Sequence, residues 1–322
     1  MESLLGRRIV LLLVWVFAVV TLTPHLAPAL EMRIAVQPTP SAAPLYVAQR
    51  QGYFRDAGLT VRIVPGLTPE LALEKVVAGN VDVAMTDYAT LLQRIDKGAG
   101  LAILANLEIA RDAIPDVLAL QTPRANPVVS IKALEGKQVA IGAGEELARL
   151  ALLELLRQNK ADPKKVILQP VNVRELPFVF QRKEIAAVVA PEPYATMLKA
   201  EQEMLTLAYP YFELGQGIPL TGLAANRQWA ERRPHSSDRL LRGLEEAVEW
   251  LQRDRGNAVS VLQEWLMLSD AVAPNMLLSR WSTRLSVERL QLIADALHRH
   301  ELIKTPLKAA SLLLRPERIS QR

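Results

Sequence analysis

Short apolar runs rich in β-branched residues alternate with stretches of helical periodicity from residue 32 onward, and the alternation occurs twice. Residues 32–36 (MRIAV) and 59–64 (LTVRIV) read as strands, the second with apolar–polar alternation. Between them, 44–54 predicts a helix with Pro44 in its first turn and Gly52 near its end. Residues 69–79 predict a second helix closed by Gly79, with Leu71, Leu73, Val76 and Val77 available for burial, and 81–85 a third strand. This β-α-β-α-β order argues for a mostly parallel sheet covered by helices. The order then starts again, with a strand at 138–143, a helix at 145–159, a strand at 166–171, a short helix at 176–183 and a strand at 185–190. Strand-like runs at 101–110 and 116–122 lie between the two sets, with 123–129 as the crossing, and another strand-like run occupies 217–226. Beyond Pro234 apolar residues recur at spacings of three and four, so this part is expected to be almost entirely helical. Two such sets without a flexible linker imply two similar α/β lobes, joined by a chain that crosses between them more than once.

The N-terminus changes this picture by adding an address. Arg7 and Arg8 precede an apolar run from Ile9 to Leu22, and Ala27-Pro28-Ala29 follows as a small-x-small cleavage site. That is the three-part plan of a secretory signal. As a helix the apolar run spans only ~21 Å, against ~30 Å of hydrocarbon, so export is expected, with a retained membrane anchor as the alternative. The 322 residues are 50% hydrophobic and contain no cysteine, which excludes thiol catalysis, thiolate metal sites, disulfides and a lipid-modified cysteine after the signal. The net charge is only +4 and no basic run is interleaved with aromatics, so no nucleic-acid partner is expected.

Several phrases resemble one family. Residues 43–64 (APLYVAQRQGYFRDAGLTVRIV) resemble the first helix and second strand of solute-binding proteins of the nitrate/sulfonate/taurine type, a broad family that includes binders of thiamine pyrimidine precursors. Residues 72–87 (ALEKVVAGNVDVAMTD) are similar to that family's next helix and strand. Residues 131–142 (IKALEGKQVAIG) resemble its lead-in to the second lobe, and 190–195 (APEPYA) its Glu-Pro turn. The likeness runs from about residue 33 to 250. It implies an α/β, two-lobed periplasmic binding protein of type II, with helices flanking a mostly parallel sheet in each lobe and a helical C-terminal extension. The expected division is a signal peptide at 1–29, lobe I at 30–120, lobe II at 121–216, and a return to lobe I plus C-terminal helices at 217–322. The resemblance also implies a small-molecule ligand in the cleft, lobe closure around it, and an inner-membrane ABC permease and ATPase as partners of a monomeric receptor.

Two stretches depart from the family pattern. Lys183-Glu184-Ile185-Ala186-Ala187 replaces the usual glycine and aspartate before the Glu-Pro turn. Gly142-Ala143-Gly144-Glu145-Glu146 stands where sulfonate binders resemble a glycine followed by small hydroxyl residues. The fold is unaffected, but the sulfonate reading is weakened.

The candidate ligand-binding residues lie at the ends of expected strands. Thr39 and Ser41 offer hydroxyls beside free backbone amides, although Ser41 also reads as a helix cap. Tyr46 faces either the cleft or the core. Thr86 and Asp87 follow the third strand, where Asp87 reads equally as an N-cap. Asn106 brings an amide into an apolar run and so needs a partner. Glu192 is held between two prolines. Gly142 and Gly144 let backbone amides approach a ligand closely. Glu145 and Glu146 are favourable in the first turn of a helix, and one of them in the cleft, with Asp87 and Glu192, favours a neutral or amine-bearing ligand over a small inorganic anion. A dinucleotide fingerprint fails because Leu147 occupies its third small position.

No enzyme signature is present. His298 and His300 are two apart and point to different helical faces, and no metalloprotease, serine-hydrolase or calcium-loop pattern occurs. No cofactor and no metal are expected. Two other classes of function are a membrane-anchored sensory binding lobe and an enzyme of thiamine-pyrimidine synthesis. The latter resembles cysteine-rich, iron-dependent relatives and is opposed by the absence of cysteine.

Overall fold

The computed structural model describes residues 30–181 and 184–314. The expected signal segment at 1–29, together with Arg182 and Lys183, lies outside the described residues. The strands are β1 (Leu30–Val36), β2 (Leu59–Pro65), β3 (Val83–Asp87), β4 (Leu101–Ile109), β5 (Leu118–Pro123), β6 (Gln138–Gly142), β7 (Ile167–Val171), β8 (Ile185–Pro191), β9 (Met204–Ala208), β10 (Pro219–Asn226) and β11 (Arg280–Trp281). They form two sheets, in the orders β11-β4-β10-β3-β1-β2 and β7-β6-β8-β5-β9. The helices are α1 (Ala43–Arg50), α2 (Tyr53–Asp56), α3 (Pro69–Val77), α4 (Tyr88–Asp96), α5 (Glu146–Gln158), α6 (Tyr194–Gln202), α7 (Pro210–Leu214), α8 (Arg227–Glu231), α9 (Pro234–Arg253), α10 (Arg255–Leu266) and α11 (Val287–Arg299).

Both sheets are mixed. β1 and β3 run parallel, as do β6, β7 and β8, whereas β10 is antiparallel to both β3 and β4, and β5 is antiparallel to both β8 and β9. The reason lies in the crossings. β4 ends at the edge where the chain leaves the first sheet, so β5 enters the second sheet from that same edge and opposes its parallel strands. β9 and β10 repeat the arrangement in reverse. The C-terminal ends of β3, β4, β6 and β8 therefore all face the region between the sheets.

Local sequence explains where elements start and stop. The helix expected over 44–54 is divided into α1 and α2 because Gly52 adopts a left-handed conformation, φ +82°. Thr68 caps α3 by accepting from the Leu71 amide, with Pro69 at the first helical position. Of the four apolar residues offered by this helix, Leu73 and Val76 are buried but Leu71 and Val77 are exposed, since only one stripe meets the sheet. β3 starts two residues later than expected because Asp82 is occupied with Arg33, accepting from its backbone amide (2.8 Å) and its Nε (3.0 Å). The segment at 176–183 is 3-10 helix over Val173–Gln181, with Pro177 inside it. The region beyond Pro234 is not continuously helical. Residues 267–286 are largely irregular and contribute β11 to the edge of the first sheet, where Trp281 Nε1 donates to the Pro40 carbonyl (3.0 Å).

A single apolar cluster runs from the first lobe into the second. It includes Tyr88, Leu91 and Leu92 of α4, Leu147, Leu150 and Ala151 of α5, and Leu290 and Ile293 of α11. A second cluster, with Val171, Leu176, Val188 and Leu198, fills the other side of the second sheet. Helix α11 also clasps both chain crossings, for Arg289 donates to the Gly217 carbonyl (2.9 Å) and pairs with Asp112 (3.4 Å). At its end, Arg299 and His300 reach Glu154 of α5, both at 3.0 Å, and Arg157 of α5 itself reaches the same carboxylate at 2.6 Å. No helix among the described residues is long and apolar enough to cross a membrane.

Candidate functional site

Parallel α/β sheets present ligand-binding loops at the carboxyl ends of their strands. In the first lobe, Thr221 at the start of β10 pairs in register with Asp87 at the end of β3 and with Glu108 near the end of β4. At ~4.8 Å between strands, this row sets the two acidic residues on backbones ~10 Å apart. The row is knitted by hydroxyls. Thr221 Oγ1 donates to Glu108 Oε2 (3.4 Å) and lies 3.3 Å from Ser41 Oγ, which itself donates to Glu108 Oε2.

Asp87 is the N-cap of α4. It accepts from the Thr90 amide (2.9 Å) and the Thr90 hydroxyl (2.6 Å). Burial nevertheless pushes its carboxyl up to about 6, and the negative charge of Glu146 adds to the rise. Burial also raises Glu108, against the favourable hydroxyls of Ser279, Ser41 and Thr221 and with the repulsion of Asp116.

The second lobe contributes the opposing group. β6 stops at Gly142, and Gly144 turns the chain with φ +79° into α5. Glu145, at the cap position, makes no side-chain capping bond and instead folds back over Gly142. A Cβ at residue 142 would lie 2.7 Å from Glu145 Cγ, so this glycine is what admits the Glu145 side chain. Among the described residues its carboxylate accepts no hydrogen bond. Burial first, then the charges of Asp87 and Glu108, push it up to about 7. The phenol of the buried Tyr211 is raised by burial and by the same carboxylates, and Glu145 is also felt by Tyr194.

Thus Asp87 and Glu145, two of the sequence candidates, come from different lobes and lie within electrostatic reach of each other. Ser41 joins them through Glu108. Thr86 is buried and turns its hydroxyl onto the Asp87 carbonyl (3.1 Å). Thr39 Oγ1 is buried without a hydrogen-bond partner. Gly142 and Gly144 form the turn beneath Glu145.

Three other candidates are employed elsewhere. Tyr46 donates to Glu264 (3.1 Å) and packs its ring on Trp265, with centroids 4.4 Å apart, so it serves the contact of α1 with α10. Asn106 is wholly buried, its Oδ1 accepting from the Tyr88 hydroxyl (3.0 Å) and its Nδ2 donating to the Ser282 carbonyl (2.8 Å). Glu192 accepts from the Thr196 hydroxyl (3.0 Å), the Thr196 amide (3.3 Å) and the Leu277 amide (3.2 Å), so it caps α6 and ties it to the C-terminal segment. Sequence reasoning missed Glu108, Thr221 and Tyr211. Glu108 carried a signal, being a second polar residue two positions after Asn106 in an apolar strand.

The Tyr88–Asn106 pair rests on Gly222, where a Cβ would approach Tyr88 Cζ to 2.8 Å and the Ala105 carbonyl to 2.9 Å. Gly222→Ala is therefore expected to cost about 1–3 kcal/mol by overpacking. A urea midpoint equal to that of the parent protein would show that the strand gives way freely.

A family model described as NMT1/THI5 like matches residues 39–258, more than half the chain. No curated protein matches it. Among solved structures, the alkanesulfonate-binding protein SsuA from Xanthomonas axonopodis pv. citri, bound to MOPS, superposes with a TM-score of 0.73 at 18% identity, covering 89% of this chain and 98% of that one. The periplasmic aliphatic sulphonate-binding protein SsuA from Escherichia coli gives 0.74 at 17% identity, over 88% and 97%. The periplasmic nitrate-binding protein NrtA from Synechocystis PCC 6803 gives 0.74 at 12% identity, over 91% and 86%. At these identities the likeness establishes the two-lobed α/β fold.

Proposed function

We propose, from the premise that the chain belongs to the NMT1/THI5-like family, that it is an extracytoplasmic solute-binding receptor for an ABC importer. Residues 1–29 direct export, lobe I comprises 30–117 and 217–322, and lobe II comprises 118–216, because β5 already lies in the second sheet and the boundary expected at 120/121 would divide it. A small organic nutrient, either sulfonate- or taurine-like or pyrimidine- or amine-like, binds between the lobes. Their closure on it creates the shape that the permease and its ATPase accept. The receptor acts as a monomer and performs no chemistry on its cargo. The observation that carries this reading is the convergence of Asp87 and Glu108 from one sheet with Glu145 from the other, at the carboxyl ends of β3, β4 and β6. The similar structures named for sulfonate or nitrate binding support it.

The test is a thermal-shift screen of the mature chain against sulfonates, taurine, nitrate, pyrimidines and amines. A ligand at 100 times its dissociation constant adds ~2.7 kcal/mol of stability. Saturable stabilisation by one class without turnover is expected. Consumption of the compound, or stabilisation by none, contradicts the receptor reading.

A further inference from the structure

We infer that α11 is a strut across the hinge, and that the clasp of its far end on Glu154 sets how readily the two lobes separate. This deepens the receptor reading and rests on the two moving lobes which that reading requires. One flank of α11 is fixed to the first lobe. Gln291 donates to the Leu307 carbonyl (3.0 Å) and accepts from the Ala309 amide (2.8 Å). The segment that follows returns to β4, where the Leu314 amide donates to the Ile103 carbonyl (3.3 Å). Asp96, at the end of α4, accepts from the Lys304 and Thr305 amides, both at 2.9 Å. Near its start the helix lies on both chain crossings. Arg289 joins Asp112 of the first crossing to the Gly217 carbonyl of the second, and fills the space beside Gly217, whose φ is +59°. Leu292 closes on Gly215, where a Cβ would lie 3.0 Å from the leucine Cδ1. At the far end, Arg299 and His300 reach Glu154 of the second lobe, both at 3.0 Å.

The lever is long enough to matter. Arg289 and Arg299 are ten positions apart, about 15 Å of helix. A lobe rotation of about 15° at the crossings carries a point at that distance about 4 Å, beyond hydrogen-bond reach. The lobes stand together in this structure, for Glu108 of the first and Tyr211 of the second are both buried and the carboxylate acts on the phenol. The clasp therefore belongs to the apposed lobes and opens when they part. The Glu154 side chain is only 5% exposed, whereas that of Arg299 is 45% exposed and regains water on release. Parting leaves Glu154 with Arg157 of its own helix (2.6 Å), so only the part of the cluster that crosses between the lobes opposes separation.

Spin labels at Glu70→Cys and Arg174→Cys, exposed positions on different lobes, report lobe separation in the unliganded mature chain by pulsed dipolar distances. Arg299→Gln is expected to raise the ratio of long to short distances about threefold, as for a partly exposed ion pair. Arg299→Glu, which sets a carboxylate against Glu154, should raise it about tenfold and should lose most of that effect in a Glu154→Gln background. Arg157→Gln is the control. It removes a partner of Glu154 from within α5, and should lower stability while leaving the distances unchanged. If Glu154→Gln does not fold, the two Arg299 variants and this control decide alone, since Arg299 is nearly half exposed. Unchanged distances in both Arg299 variants, a shift toward shorter ones, or an equal shift in Arg157→Gln overturns the inference. Distances that respond as expected, while no compound in the ligand screen stabilises the protein, overturn the receptor reading and leave the clasp standing.

Discussion

Glu154→Ala is expected to destabilise the protein by about 2–4 kcal/mol. The Glu154 side chain is only 5% exposed and serves Arg157, Arg299 and His300 at once. Burial alone would raise its carboxyl. The hydrogen bonds of Arg157 and His300 and the charge of Arg299 outweigh that and hold it at about 2. Breaking such a group usually costs most when the partners are left buried. Here both arginines are nearly half exposed and regain water, so the loss sits below the largest values. The contribution is complete above the unfolded pKa of ~4.5 and disappears as pH falls through about 2. Urea denaturation at pH 7 should show the lowered midpoint, with the difference between parent and variant narrowing toward pH 2. An unchanged midpoint at pH 7 would mean that the contact between α5 and α11 is held by apolar packing alone.

The cleft works in the opposite sense. Asp87 and Glu145 are raised from 3.8 and 4.5 to about 6 and about 7, so the folded state holds protons that the unfolded chain releases. Their stabilising effect is present below those unfolded values and is lost as pH rises through about 6 and about 7. The unliganded protein is therefore expected to be more stable near pH 5 than near pH 8. The difference is about 2 kcal/mol, once the partial exposure of both groups is allowed for. Glu145 is faced by Asp87 and Glu108 from the first lobe and by the phenols of Tyr194 and Tyr211. Glu146 acts on Asp87 but is paired with Arg149, and Arg174 acts on Tyr194. Glu145→Gln removes the group with the higher pKa and should flatten the slope between pH 5 and 8 while raising stability at pH 8. Melting curves across that range decide the matter. A parent protein that gains stability steadily from pH 5 to 8, or a variant with an undiminished slope, would contradict this electrostatic picture.

Most strands of both sheets were legible because each is a short apolar run, several of them closed by Gly, Pro or Asp, as in β3, β6 and β8. The antiparallel pairing of β5 and β10 was not, since pairing direction depends on where a strand enters a sheet and leaves no mark in its own residues. β9 escaped for a different reason: Met204–Ala208 is a short, mostly apolar run, but it follows α6 after only Glu203, with no glycine or proline to mark its start. In the site, Asp87 and Glu145 were legible because strand ends and helix starts announce themselves through capping residues and glycines. Asn106 and Glu192 show the limit of that reasoning. Each is a polar residue in an apolar or rigid setting, and its partner turned out to be Tyr88 or Thr196 within the protein. Thr221 and Tyr211 needed the second chain crossing to be placed before their proximity to Glu108 had any meaning.

The absence of cysteine permits the most direct test, because two introduced cysteines are the only sites for spin labels. Glu70→Cys in the first turn of α3 and Arg174→Cys just beyond β7 are exposed and lie on different lobes. Pulsed dipolar distances between labels at these positions should shorten to a single population when the stabilising ligand saturates the protein. A ligand that saturates while leaving the distance distribution unchanged would contradict a receptor that closes its two lobes on its cargo.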